Sequence, residues 1–128
     1  MPLSTLLAYA IEMLNVKHVI VCGHYGCGGI EAALGDGLHG PIDRWIQHVR
    51  DVRSRHALEL GRLGDRDALG RRLCELNVIE QVQSVCRVAA VREAWSPGQS
   101  VTVHGWIYDL RDGLLRDLKV TVAAASSA

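Results

Sequence analysis

The chain has no surplus of either charge. Fourteen Lys and Arg stand against fourteen Asp and Glu, so the formal net charge is zero with histidine neutral. Without a positive balance, nothing draws it generally toward nucleic acid or an anionic membrane surface. No apolar run approaches the roughly 20 residues that span a bilayer. The first residues lack the basic region that opens a secretory signal. Cysteine is sparse: the four, at positions 22, 27, 74 and 86, form neither a dense disulfide pattern nor a C-x-x-C pair. That argues against a disulfide scaffold and a dithiol redox motif, and for a reducing, cytoplasmic setting with free or metal-bound thiols. There is no internal repeat and no low-complexity linker. What is present suffices for a core: 128 residues, 48% apolar, with a mean hydropathy of +0.10. This length allows one domain at most.

The most specific local signal is Cys22-Gly23-His24-Tyr25-Gly26-Cys27-Gly28-Gly29, a glycine-rich turn after the apolar, β-like run Lys17-His18-Val19-Ile20-Val21. Imidazole nitrogen and thiolate sulfur are the ligands zinc prefers. The H-x2-C spacing lets one tight turn aim His24 and Cys27 at one ion. Two donors from one loop do not complete a zinc site. Cys22 precedes His24 by two positions, so strand alternation can put both on one face. The end of an apolar strand is, however, the commoner place for a buried structural thiol. Cys74 and Cys86 fall on expected helices and read as core or surface thiols. His18, His39, His48, His56 and His104 have no ligand-like spacing to the turn, and a proton-transfer role for one of them stays open. A phosphate cradle is the weaker reading, because G-x-x-G-x-G-G is neither G-x-G-x-x-G nor a Walker A sequence.

Along the chain, Leu3, Leu6, Leu7, Ala10, Ile11 and Leu14 mark one face of a helix that Asn15 stops. Residues 17–22 read as a buried strand, because the apolar run is continuous and β-branched. A short helix at 30–34 and a loop at 35–40 follow. Pro41 opens a helix with the stripe Ile42, Trp45, Ile46, Val49 and Val52. Residues 54–64 read as a surface connection. Asn77-x-x-Glu80 resembles a capping box, which splits the next stretch into helices at 66–75 and 78–94. Trp95-Ser96-Pro97-Gly98 breaks the pattern. Alternation from Val101 to Ile107 predicts a strand, and Asp112-Gly113 a tight turn. A last antiparallel strand is expected at 115–122, with a frayed tail at 123–128. The long helical crossover between the first two strands favours their parallel pairing. The expected class is α/β: a small, mostly parallel sheet flanked by helices, with an antiparallel C-terminal strand. Trp45, Trp95 and Trp106 read as core or interface anchors.

GHYGCGG after an apolar strand resembles the second zinc motif of the β-class carbonic anhydrases. Leu73-Cys74-Glu75-Leu76-Asn77-Val78-Ile79-Glu80-Gln81-Val82 is similar to that family's helix motif. His104-Gly105-Trp106-Ile107-Tyr108 and Asp112-Gly113-Leu114-Leu115 are similar to its C-terminal strand pair. The likeness covers residues 3–122. It implies reversible, zinc-dependent hydration of CO2 to bicarbonate, with His24 and Cys27 as two of three protein ligands. It further implies Gly28 and Gly29 as backbone donors to bicarbonate. In some members the tyrosine at the position of Tyr108 helps hold a non-catalytic bicarbonate, but its Trp and Arg partners come from an N-terminal region that has no match here, so packing is the plainer role.

The family's first motif, Cys-x-Asp-Ser-Arg, supplies another zinc cysteine and an Asp–Arg pair, and this sequence has no such motif. Residues 1–128 are therefore expected to be a single partial β-carbonic anhydrase domain, truncated and impaired in isolation. In the family sheet, the strand bearing the first motif lies beside the strand equivalent to residues 17–22. Without it, Val19-Ile20-Val21 becomes an edge that invites association. The implied partners are CO2 and bicarbonate, further copies in a dimer or tetramer, or complementing full-length subunits. The alternative reading is a non-catalytic fragment or interaction module that joins such subunits.

Overall fold

In the computed structural model, which describes residues 2–123, one mixed four-stranded sheet is covered by helices. The class expected from sequence is the class observed. β2 (Thr102–Asp109) forms the middle of the sheet because its alternation is strict: Val103, Gly105, Ile107 and Asp109 are buried, while Thr102, His104, Trp106 and Tyr108 are half-buried on the other face. β1 (His18–His24) pairs with it in parallel, from His18 opposite Thr102 to His24 opposite Tyr108. On its far side β2 takes β3 (Leu114–Asp117) and β4 (Val122–Ala123), both antiparallel. The single last strand expected at 115–122 is thus two short ones. Lys119, at φ 60°, breaks the extended backbone between them. Of the tail expected at 123–128, Ala123 belongs to β4, and 124–128 lie outside the described residues.

β1 is not the buried strand that its apolar run suggests. None of its residues is fully buried, and His18, Ile20, Cys22 and His24 are exposed on one face. The reason is its place: among the described residues no strand pairs with its outer edge. On that exposed face His18 Nδ1 and His104 Nε2 lie 3.0 Å apart, tying β1 to β2.

α5 (Arg66–Cys86) is one continuous helix across β1 and β2, not two. Its true N-cap is Asp65, whose carboxylate accepts from the Ala68 N–H at 3.1 Å. Leu73, Leu76, Val82 and Val85 keep a buried stripe running through the expected break. Glu80 caps nothing; it accepts from Arg55 Nη2 at 2.5 Å and lies 3.2 Å from His56 Nε2. Those Arg55 hydrogen bonds hold the Glu80 carboxyl below the usual carboxylate range, and His56 adds to the effect against a smaller burial penalty. A depressed folded value contributes stability that is present above the unfolded value of about 4.3 and lost as pH falls through the folded one. Glu80→Gln should therefore lower the urea midpoint modestly at pH 7, and the gap should close below pH 4.

Further expectations change. α1 (Leu3–Ala8) runs on through a π-helical turn at Tyr9–Met13 to Asn15, at φ 55°. Of its expected buried face only Leu7 and Ile11 are buried; Leu3, Leu6 and Leu14 are exposed. The connection at 54–64 holds the end of α3 (Asp43–Arg55) and a short α4 (Ala57–Gly61), which buries Leu60. Pro41 sits in a 3-10 turn, Gly40–Ile42, just before α3. In α3 the stripe buries Ile46, Val49 and Val52 but leaves Ile42 and Trp45 exposed, so Trp45 is not a core anchor. Trp95 is half-buried, its indole N–H donating to Val101 O at 2.7 Å. α6 (Ala89–Trp95) closes the second core cluster over Leu7, Ile11, Val82 and Val103.

α2 (Gly28–Leu34) is held from outside. Its terminal carbonyls have no partners within the helix. Arg53 Nη1 donates to Ala33 O and Leu34 O at 3.0 and 2.8 Å, and Arg50 Nη2 donates to Gly35 O at 2.6 Å. Two arginines of α3 thus fix the helix that starts at the H-x2-C turn.

Candidate functional site

β1 runs further than expected and ends on His24, so His24 is a strand residue rather than a turn residue. Gly23 interrupts the apolar run but not the strand, whose register continues with Cys22 opposite Trp106 and Gly23 opposite Ile107. Glycine is needed at 23 because a Cβ there would stand 2.5 Å from Val78 Cγ2 on α5. Alternation then turns Cys22 and His24 to the same open face. The Tyr25 N–H donates to Tyr108 O at 3.0 Å, Gly26 takes φ +70°, and the chain turns into Cys27, the N-cap of α2.

Cys22, Gly23, His24, Cys27, Ile30, Trp45, Cys74 and Asn77 line one cavity of about 200 Å³. The structure thus brings His24 and Cys27 to one space. His24 Nδ1 lies 2.9 Å from Tyr25 O. A carbonyl can only accept, so Nδ1 carries a proton in this contact, and the neutral ring then has its lone pair on Nε2. Metal-binding histidines are commonly oriented in this way. Cys22 lines the cavity as well and is exposed, not the buried structural thiol expected of a strand end.

Cys74 is buried, as expected of a core thiol, yet it reaches the same cavity. Burial pushes its thiol up to about 11, although backbone hydrogen bonds from Cys27 and Gly26 act in the opposite direction. Among the described residues no three His, Cys, Asp or Glu side chains stand together as a metal-holding group. The donor set present therefore fits half of a zinc site: one imidazole and one thiol, with Cys22 and Cys74 near but not convergent.

The sequence does not mark Ile30, Trp45, Cys74 or Asn77 as lining residues. The local signal is Asn77, polar inside an apolar helix, and its spacing to Glu80 also reads as a cap. Cys86, His18, His39, His48, His56 and His104 do not line this cavity. Nor does Tyr108, which is half-buried and offers its carbonyl to Tyr25.

The turn is braced from behind. Tyr25 is 6% exposed, its hydroxyl donates to Glu75 Oε2, and Arg71 lies over its ring at 3.8 Å. Burial first, then the Glu75 hydrogen bond, push the Tyr25 phenol up to about 12. Beyond Tyr25 is a second cavity of about 200 Å³, where buried Asp109 pairs with Arg71 at 3.3 Å and Arg111 at 3.4 Å.

An open α/β sheet with an imidazole and a thiol at a strand end defines a candidate metalloenzyme fold. The comparisons narrow this. The family pattern described as "Carbonic anhydrase" matches residues 2–115. A carbonic anhydrase of Emericella nidulans is 44% identical over 112 residues, covering 88% of this chain and 49% of that protein. The structure of a Coccomyxa β-carbonic anhydrase in complex with acetazolamide superposes with a TM-score of 0.89 at 36% identity, covering 97% of this chain and 56% of that one. A tetrameric β-carbonic anhydrase of Sordaria macrospora gives 0.86 at 33%, covering 94% and 61%. The chain belongs to the β-carbonic anhydrase family. It spans about half the length of the curated relatives it matches.

Proposed function

We propose that this chain carries part of the active site for zinc-dependent, reversible hydration of CO2 to bicarbonate. The observation that carries the reading is the convergence of His24 and Cys27 on one cavity, with the His24 Nδ1 proton committed to Tyr25 O. His24 Nε2 and Cys27 Sγ would hold the ion. Zinc, when bound, supplies a water acidified to a pKa near 7. Gly28 and Gly29 open α2, so their N–H groups lack helical partners and are available to a bicarbonate oxygen. Ile30 and Trp45 give the cavity an apolar wall. Tyr108 serves packing and not a second bicarbonate site.

Residues 1–128 form a single partial domain in this reading. With two donors, the isolated chain is impaired, and a further ligand comes from another segment or another chain. Four cysteines without a disulfide pattern support a cytoplasmic setting in this reading. Among the described residues no helix is long and apolar enough to cross a membrane. A dimer or tetramer fits the tetrameric relative. The second reading, a non-catalytic module that joins full-length subunits, is favoured by one feature: the open outer edge of β1.

The test is zinc per chain in the purified protein, beside Cys27→Ser. The expected result is zinc below one per chain that disappears in the variant, with CO2 hydration tracking occupancy in stopped flow. Equal zinc in both proteins would remove Cys27 from the site. Zinc-free, inactive chain that co-purifies with full-length subunits would favour the second reading.

A further inference from the structure

We propose that Glu75, acting through Tyr25, is the positioning residue that sets the proton and the orientation of the His24 imidazole. The inference rests on the reading of His24 as a zinc ligand, and it concerns Glu75 and the Tyr25 side chain, to which that reading gives no part. The orienting group is the Tyr25 carbonyl, 2.9 Å from His24 Nδ1. A backbone carbonyl orients a ring only as well as its own peptide is held. This one follows a strand end and precedes Gly26 at φ +70°, where the chain would otherwise be loose.

Tyr25 is fixed at both ends. Its N–H donates to Tyr108 O at 3.0 Å, which anchors the backbone to β2. Its hydroxyl donates to Glu75 Oε2, fifty residues away on α5. The carboxylate is itself tethered, because Arg72 Nη1 donates to Glu75 Oε1 at 2.9 Å. The Arg71 guanidinium lies 3.8 Å from the ring centroid and covers its face. Tyr25 as a whole is 6% exposed, and its hydrogen bond to Glu75 is part-buried, which strengthens it relative to one at the open surface. A polar network reaching from a helix into a strand-end turn is more than the packing of a tyrosine requires. A phenylalanine would fill the same volume without the cost of burying a hydroxyl and half-burying a carboxylate. What the network adds is a fixed direction for the peptide that holds His24.

The experiment reads the His24 ring directly, in the metal-free chain, by long-range proton–nitrogen NMR at pH above the imidazole range. The wild type is expected to hold the Nδ1–H tautomer. Tyr25→Phe removes the hydroxyl and keeps the ring, and Glu75→Ala removes its acceptor; both should shift His24 to a mixture of tautomers. Glu75→Gln keeps an oxygen that can accept from Tyr25 and should restore the wild-type tautomer. Urea unfolding confirms that each variant is folded, and Tyr25→Phe decides the matter should Glu75→Ala fail to fold. Where zinc binds, the two disruptive variants should lose affinity by roughly 10–100-fold. An unchanged Nδ1–H tautomer in folded Tyr25→Phe, or a wild type without it, overturns the proposal. A wild type that holds the tautomer but binds no zinc would count against the zinc reading alone.

Discussion

Ile107→Ala should lower the thermal midpoint on the order of 10 °C, from a loss of about 2–5 kcal/mol. Ile107 is fully buried on β2, in the core cluster with Tyr25, Ile46 and Leu73 beneath the H-x2-C turn. It lies opposite Gly23 on β1 and Arg116 on β3, so the strands on both sides fix its backbone. Neighbours held so firmly collapse little into the space left behind, which is the condition for a large cavity term. A calorimetric scan reads the effect. A shift of a degree or two would mean that the helices do not pack on β2 as described.

Gly23→Val should cost about 1–3 kcal/mol or more, and should also displace the candidate ligands. The Cβ alone would stand 2.5 Å from Val78 Cγ2. Val78 is 2% exposed on α5, and a β-branched residue on a helix has one strongly preferred rotamer, so it cannot turn aside. α5 and β1 must separate instead. Because Cys22 and His24 flank the substituted residue, whatever metal the chain holds should fall with the urea midpoint. Val78→Ala in the same chain should recover part of both losses, a coupling that a double-mutant cycle measures. Additive losses would show that the clash is relieved elsewhere.

The parts of this fold that were legible in the sequence are those written in a short period. Val101, Val103 and Ile107 alternate with half-buried partners, and β2 follows at once from that. The parallel pairing of β1 and β2 was legible from the long helical crossover. Among the readings that failed, three show the physical reason most directly. Gly23 resembled the end of a strand, because the neighbour that requires a glycine, Val78, is remote in sequence. Asn77 and Glu80 resembled a cap, because a cap and a mid-helix polar pair have the same spacing; the buried stripe from Leu73 to Val85 decides between them. The run Val19-Ile20-Val21 suggested a buried strand, although what covers a strand is set by its neighbours in the sheet. His24 and Cys27 were legible as a pair through their spacing. The brace behind them was not, since nothing local links Tyr25 to Glu75. Only the resemblance of Leu73-Cys74-Glu75-Leu76-Asn77 to a family motif pointed to that part of α5.

The open edge of β1 has a consequence for how the site opens. A strand paired on one side exchanges its outward amide protons readily, and detaches at a lower free energy than the strand beside it. β1 carries His24, so one of the two proposed donors sits on a strand with no partner, among the described residues, at its outer edge. Ligation at His24 and Cys27 would tie that strand to α2, and the free energy of binding would appear as slower exchange from 18 to 24. Amide protection along β1 is thus a gauge of occupancy, readable residue by residue without any turnover.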